Sequence, residues 1–172
     1  MKGDIAEIEV QLKALKLGWD VLIPVGDRLP YDLVIVVKNV FVKIQVKSAW
    51  ECSEKGKEGV YLVDVRRTKT NRRIMKREKY NNSDFDFAVI YVSDLNIFYI
   101  LPVDVFNSYS GAITLHEKVS RQRKPKSHEF KEAWDLIENY TLRDGEVVSH
   151  LSHKHGVLNR VYEGSNPSPA TN

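Results

Sequence analysis

Asp32-Leu33-Val34-Ile35-Val36-Val37-Lys38-Asn39-Val40-Phe41-Val42-Lys43-Ile44-Gln45-Val46-Lys47 is the stretch on which the reading of this 172-residue chain turns. Its first half is apolar on both faces, the pattern of a central strand. Its second half reads as a strand from Val40 to Ala49, and the close spacing around Asn39 joins the two as a hairpin. Asp32 opens the first strand and so stands at the rim of a sheet, where a cleft can form. In the partner strand the odd-numbered residues share a face, so Gln45 and Lys47 point the same way and Val46 points the other. Taken alone, Lys47 fits a snorkelling surface residue, its stem on apolar neighbours and its charge in water.

Upstream, Asp4 to Leu17 has helical periodicity and stops at Gly18, a natural residue just past a helix end. At about 100° per residue, Ile5, Ile8, Leu12 and Leu15 form one apolar stripe, and Ala6, Val10, Ala14 and Leu17 form a second. Glu9, Lys13 and Lys16 cluster on the side expected to face water. Glu7 falls between the apolar stripes, aimed at the interior. A carboxylate in that position is costly unless it is ion-paired, hydrogen-bonded or close to a metal. Trp19 to Val25 is a short strand, followed by a loop punctuated by Pro24, Gly26 and Pro30.

Downstream, Gly59 to Arg66 reads as a strand and Thr70 to Tyr80 as a basic helix. Asp86 to Ser93 and Asn96 to Pro102 read as a strand pair around Asp94-Leu95. A short helix is expected over Val103 to Asn107 and a strand over Gly111 to His116. Ser127 to Tyr140 reads as a helix capped by Ser127, with Phe130, Trp134, Leu136 and Ile137 on its inner face. The pattern gives one α/β domain over residues 1–143 and a poorly ordered tail over 144–172.

A single cysteine, Cys52, excludes an internal disulfide and fits a reducing cytoplasm. The longest apolar runs, Leu33 to Val37 and Phe87 to Val92, are strand-length and too short for a membrane span. The first residues contain no apolar signal region. Net charge is only +3, but it is unevenly spread. Arg66 to Lys79 contains eight Lys or Arg and one acid, and Lys118 to Lys126 contains five and no acid. Two basic segments on an otherwise acidic chain point to a polyanionic partner, though not to what is done to it. Arg66, Arg67, Lys69, Arg72, Arg73 and Lys76 are candidate contacts to such a polyanion, with Arg121, Arg123 and Lys124 as a second group.

An acidic residue at one strand's start, a polar-x-Lys triplet at the end of the next and an inward glutamate on the preceding helix together resemble the PD-(D/E)xK nuclease superfamily. That superfamily includes restriction enzymes and Holliday junction resolvases. The strings Lys2-Gly3-Asp4-Ile5-Ala6-Glu7, Val21-Leu22-Ile23-Pro24-Val25-Gly26, Tyr31-Asp32-Leu33 and Ile44-Gln45-Val46-Lys47 look like a subgroup containing intron-encoded homing endonucleases. Two departures stand out. Tyr31 separates Pro30 from Asp32, and Gln45 occupies the place of the name-giving Asp or Glu.

The resemblance implies an α-β-β-β-α-β core with a mixed central sheet flanked by helices. It implies a catalytic set of Glu7, Asp32, Gln45 and Lys47 and a requirement for Mg²⁺, with Mn²⁺ able to substitute. Asp32 would be the principal ligand, with Glu7 binding directly or through water. The Gln45 amide and the Val46 carbonyl would complete the shell, and Lys47 would stabilise charge. One such site nicks one strand, so cutting a duplex implies a homodimer or homotetramer. A junction resolvase, a restriction-type nuclease and a non-catalytic DNA-binding protein on the same scaffold are the alternatives.

The final residues add a separate clue. Gly164-Ser165-Asn166-Pro167 can be encoded by a stretch holding the T-arm consensus of transfer-RNA genes, and Ser-Pro-Ala-Thr-Asn by a transfer-RNA 3′ end. A reading frame inside a transfer-RNA intron that runs on into the 3′ exon has this form. The target would then be the intronless gene.

Overall fold

The computed structural model describes residues 2–26, 28–71, 74–118, 125–143 and 146–149. Helix α1 (Lys2–Lys16) leads into strands β1 (Asp20–Leu22), β2 (Leu33–Val37) and β3 (Val40–Ser48). The β2–β3 connection is two residues, Lys38 (φ 50°) and Asn39 (φ 66°). Positive φ at both positions is the requirement of the tight hairpin turn whose twist matches the strands. Register runs from Leu33 opposite Ile44 to Val37 opposite Val40.

After β3 come β4 (Trp50–Glu51), β5 (Val60–Asp64), β6 (Arg66–Asn71) and β7 (Ile74–Lys79), then β8 (Phe87–Val92) and β9 (Ile97–Pro102). The main sheet has the order β1-β2-β3-β8-β9. Only β3 and β8 run parallel; the other neighbours are antiparallel. The expected mixed central sheet with flanking helices is therefore present. Every residue of β8 is buried, as are Leu33 and Ile35 of β2, Ile44 of β3, and Ile100 and Leu101 of β9. Asp86 secures the parallel junction. Its Oδ2 accepts from the Lys43 amide at 2.7 Å and its Oδ1 from the Tyr140 hydroxyl at 3.0 Å.

Helix α2 (Val103–Asn107) and strand β10 (Ala112–His116) fall where the sequence places them. β10 pairs with β5 and β5 with β4 in a second, three-stranded sheet. A 3-10 turn (Lys126–Phe130), helix α3 (Asp135–Glu138) and a hairpin of β11 (Tyr140–Arg143) and β12 (Glu146–Ser149) close the described chain. Residues 150–172, most of the expected tail, lie outside the described residues.

Three expectations are corrected. The basic helix over Thr70 to Tyr80 is a hairpin, β6 paired with β7 from Arg66 opposite Lys79 to Asn71 opposite Ile74. Cross-strand backbone pairing outweighs a weak helical pattern in a segment with β-branched Thr68, Thr70 and Ile74. So the crossover between parallel β3 and β8 is made of strands.

The helix over Ser127 to Tyr140 is broken in the middle. Lys131 is extended and Glu132 adopts φ 51°. The edge of β9 takes over these residues: the Glu132 amide donates to the Phe98 carbonyl at 2.8 Å, and Glu132 Oε1 accepts from the Phe98 amide at 2.7 Å. Ser127 is buried and caps nothing.

On α1 the faces are reassigned. Ala6, Val10 and Ala14 are fully buried, while Ile5, Ile8, Leu12 and Leu15 are exposed. Lys13 is partly covered instead, 3.6 Å from Glu132 and over the Trp134 ring at 5.9 Å.

Candidate active site

Asp32 precedes β2, and its amide donates to the Ile44 carbonyl at 2.9 Å, which pins the rim residue to the middle of β3. Its side chain bends back onto the same strand. Oδ2 accepts from the Val46 amide at 2.7 Å and from Gln45 Nε2. The Gln45 amide is buried and also donates to the Val46 carbonyl at 3.2 Å. Gln45 thus supplies a neutral donor to Asp32 where a carboxylate would repel it.

Lys47, one pleat along from Gln45, is half-buried. Its Nζ donates to the Tyr80 hydroxyl at 3.0 Å and the Arg66 carbonyl at 3.2 Å. Tyr80 is itself buried, in edge contact with Phe85 and Phe106. The end of β7 is thereby anchored in the core beside the lysine.

Glu7 lies on α1, half-buried and close enough to Asp32 for the two carboxylates to repel. Burial raises the proton affinity of Glu7, and the charges of Asp32 and then Asp4 raise it further. Burial also raises that of Asp32, against the lowering effect of the Val46 amide, Lys47, Arg67 and Gln45. Burial lowers that of Lys47, opposed by Asp32 and Asp64. All three groups are pushed toward their neutral forms in the protein alone. A cation between the carboxylates and a phosphate beside the lysine would reverse each shift.

Among the described residues no group of three or more His, Cys, Asp or Glu is placed to hold a metal ion. A cation here would rely on two carboxylates, Glu7 and Asp32, and the Val46 carbonyl, while Gln45 presents its amide nitrogen to Asp32 and Val46. Mg²⁺ is commonly held by one or two carboxylates, with water and substrate phosphate filling the remaining positions. The donor set fits it.

Three neighbours carry no weight in the sequence reading of the catalytic set. Tyr80 holds Lys47. Asp64 influences Lys47 and accepts from the Arg66 amide at 2.9 Å. Arg67, expected to touch DNA, donates to the carbonyls of Arg28 at 3.3 Å and Leu29 at 2.9 Å, tying down the loop before Asp32. It also acts on the Asp32 charge, from a strand at a place where the sequence pattern predicts no element. Arg66 is exposed at the start of β6. Lys69 and Lys76 are partners in the β6–β7 backbone register. Arg72, Arg73, Arg121, Arg123 and Lys124 lie outside the described residues.

Comparison with known proteins identifies the family. No curated protein matches the chain. One similar solved structure is that of a bacterial homing endonuclease, I-Ssp6803I. It is 55% identical, has a TM-score of 0.72, and the match covers 80% of this chain and 90% of that one. The family profile described as PD-(D/E)XK endonuclease matches residues 1–137. The chain belongs to the PD-(D/E)XK endonuclease family and is a DNA endonuclease.

Proposed function

We propose that the protein is a homing endonuclease that cuts double-stranded DNA at the intronless form of a transfer-RNA gene. It does so in the cytoplasm as a symmetric homodimer or homotetramer and uses Mg²⁺, or Mn²⁺ in its place. The observation that carries the reading is the convergence of Asp32, Gln45 and Lys47 on one strand end, with Glu7 in electrostatic contact. The 55% identical relative, itself a homing endonuclease, supports the class of activity. The transfer-RNA-like coding of Gly164 to Pro167 supports the target.

Bound Mg²⁺ supplies phosphate polarisation and a water of lowered pKa. Asp32 commits Oδ2 to the protein and keeps Oδ1 for the ion. Glu7 contributes the second negative charge that Gln45 does not. The Gln45 amide nitrogen faces both Asp32 and the Val46 carbonyl, so Gln45 would orient these two ligands, and its oxygen would reach a cation only with the amide turned over. Lys47, held by Tyr80, sets a positive charge against the developing negative charge on the phosphate and orients the attacking water. The β6–β7 hairpin supplies Arg66, Lys69 and Lys76 as contacts to the duplex, with Arg72 and Arg73 between its strands in sequence. A two-stranded ribbon is one of the two elements the major groove admits. Arg67 serves the site instead, by holding the loop before Asp32.

Incubation with the fused-exon sequence and Mg²⁺ tests the reading. The wild type should cut both strands at one place while Asp32→Ala leaves the DNA intact. If both proteins treat that DNA alike, the homing reading fails. Cutting confined to a synthetic four-way junction would make the enzyme a resolvase.

A further inference from the structure

The ammonium of Lys47 is held by both strands of the β6–β7 ribbon at its base. The Arg66 carbonyl, where β6 begins, accepts from Nζ at 3.2 Å, and the Tyr80 hydroxyl, one residue past β7, accepts at 3.0 Å. Two of the three N–H bonds of the ammonium are thus committed, which fixes the direction of the third. A lysine on its own is a point charge on a flexible stem, with no preferred aim. These two contacts give it one.

Tyr80 is the stiffer of the two partners. Its buried ring stands edge-on to Phe85 and Phe106, with centroids 5.1 and 6.2 Å away, and both phenylalanines are fully buried. The hydroxyl therefore sits at the end of an arm that the core immobilises. Burial raises the pKa of Tyr80, so the hydroxyl meets the ammonium as a neutral dipole and not as a base. Asp64 braces the same end of the ribbon. Its Oδ1 accepts from the Arg66 amide at 2.9 Å, and its Oδ2 lies 3.7 Å from Arg77 of β7.

We propose that Tyr80 is a positioning residue for DNA cleavage: its hydroxyl aims the Lys47 ammonium at the reacting phosphate, so that the seat of the ribbon, and not only its charged length, sets the rate of cutting. This rests on the role of Lys47 proposed above and not on the homing target. Tyr80 acts only through Lys47. Its loss should therefore leave DNA affinity intact while the chemical step slows, because a misplaced catalytic group costs rate rather than binding.

Tyr80→Phe removes the hydroxyl and keeps the ring against Phe85 and Phe106. The substrate is the fused-exon duplex or the four-way junction, whichever the wild type cuts. Single-turnover cutting at saturating Mg²⁺ should slow by roughly tenfold or more. The Kd for the same DNA, read by fluorescence anisotropy in Ca²⁺, should stay within about twofold, with an unchanged circular dichroism spectrum. A second readout needs neither DNA nor metal. In proton–nitrogen correlation spectra of lysine ammonium groups, the Lys47 signal, identified by its loss in Lys47→Arg, should be protected from exchange with water. In Tyr80→Phe that signal should be lost to exchange. The proposal is overturned by a variant that cuts at the wild-type rate, or whose slower cutting is matched by an equal loss of DNA binding. A Lys47 signal that is unprotected in the wild type, or unchanged in the variant, overturns it equally. If the wild type cuts neither DNA, the proposed function fails, and the ammonium signal alone decides whether Tyr80 holds Lys47.

Discussion

Two antiparallel hairpins of this molecule share a local architecture and differ in nearly everything else. β2–β3 is closed by two positive-φ residues, is apolar through most of its length and lies in the middle of a five-stranded sheet. β6–β7 forms a two-stranded sheet of its own, with Arg66 opposite Lys79 and Arg67 opposite Glu78. Like charges directly opposite oppose pairing, and a two-stranded sheet alone is marginal in water. The first hairpin therefore fixes Asp32, Gln45 and Lys47 before any ligand arrives. The second carries positive charge that a phosphate backbone would relieve. On the proposed function, chemistry would sit where burial fixes position, and contact with DNA on the basic ribbon outside the main sheet.

The largest expected difference between the hairpins is catalytic. Asp32→Ala and Lys47→Ala should each slow cleavage by roughly 10³-fold, while Lys69→Ala should change the single-turnover rate at saturating DNA by less than about tenfold. Equal losses would erase the division. Stability should divide the same way. Ile35→Ala, at a fully buried position of β2, should cost about 2–5 kcal/mol in urea unfolding. Lys79→Ala, at an exposed position of β7, should stay within about 0.5 kcal/mol.

Gln45→Glu sharpens the chemistry of the first hairpin. It removes the donor to Asp32 Oδ2 and places a third carboxylate near Glu7. The cation-free protein should lose about 1–3 kcal/mol, while Mg²⁺ affinity, read by calorimetry, should rise. On the second hairpin, Lys69→Ala with Lys76→Ala should reduce the slope of log Kobs against log salt by about 2, one unit per lost phosphate contact.

The smallest effect is the pH dependence of stability. Glu7 and Asp32 hold protons more tightly in the fold than in the unfolded chain, whose carboxylates titrate near pH 4. Between the unfolded and the raised folded pKa the native state binds more protons, so their contribution to stability falls as pH rises through that window. Without metal, the Tm of the wild type should gain more than that of Glu7→Gln as pH is lowered from 7 toward 5. Added Mg²⁺ should raise the wild-type Tm at pH 7 and much less at pH 5.

The β2–β3 hairpin was legible because burial imposes a pattern on sequence. Its apolar run, its turn and the shared face of Gln45 and Lys47 all follow from strand periodicity. The β6–β7 hairpin was not legible, because a segment of Arg, Lys and Thr has no apolar period to choose helix from strand. Tyr80 was hidden for the same reason: its contact with Lys47 depends on where β7 ends. The broken helix after Ser127 reflects a competitor no local pattern contains, the free edge of β9 bonding Glu132. On α1 the periodicity located both apolar stripes but could not say which one the sheet covers. The small residues won, because they let the helix approach closely.

The role of Glu7 decides whether this glutamine-bearing site works as described. The measurement is the cleavage rate of wild type and Glu7→Gln as a function of Mg²⁺ concentration on one DNA substrate. Glu7→Gln should need at least tenfold more Mg²⁺ to reach half its maximal rate. Superimposable Mg²⁺ curves would mean that Glu7 supplies no charge to the cation and that the site is completed by other residues.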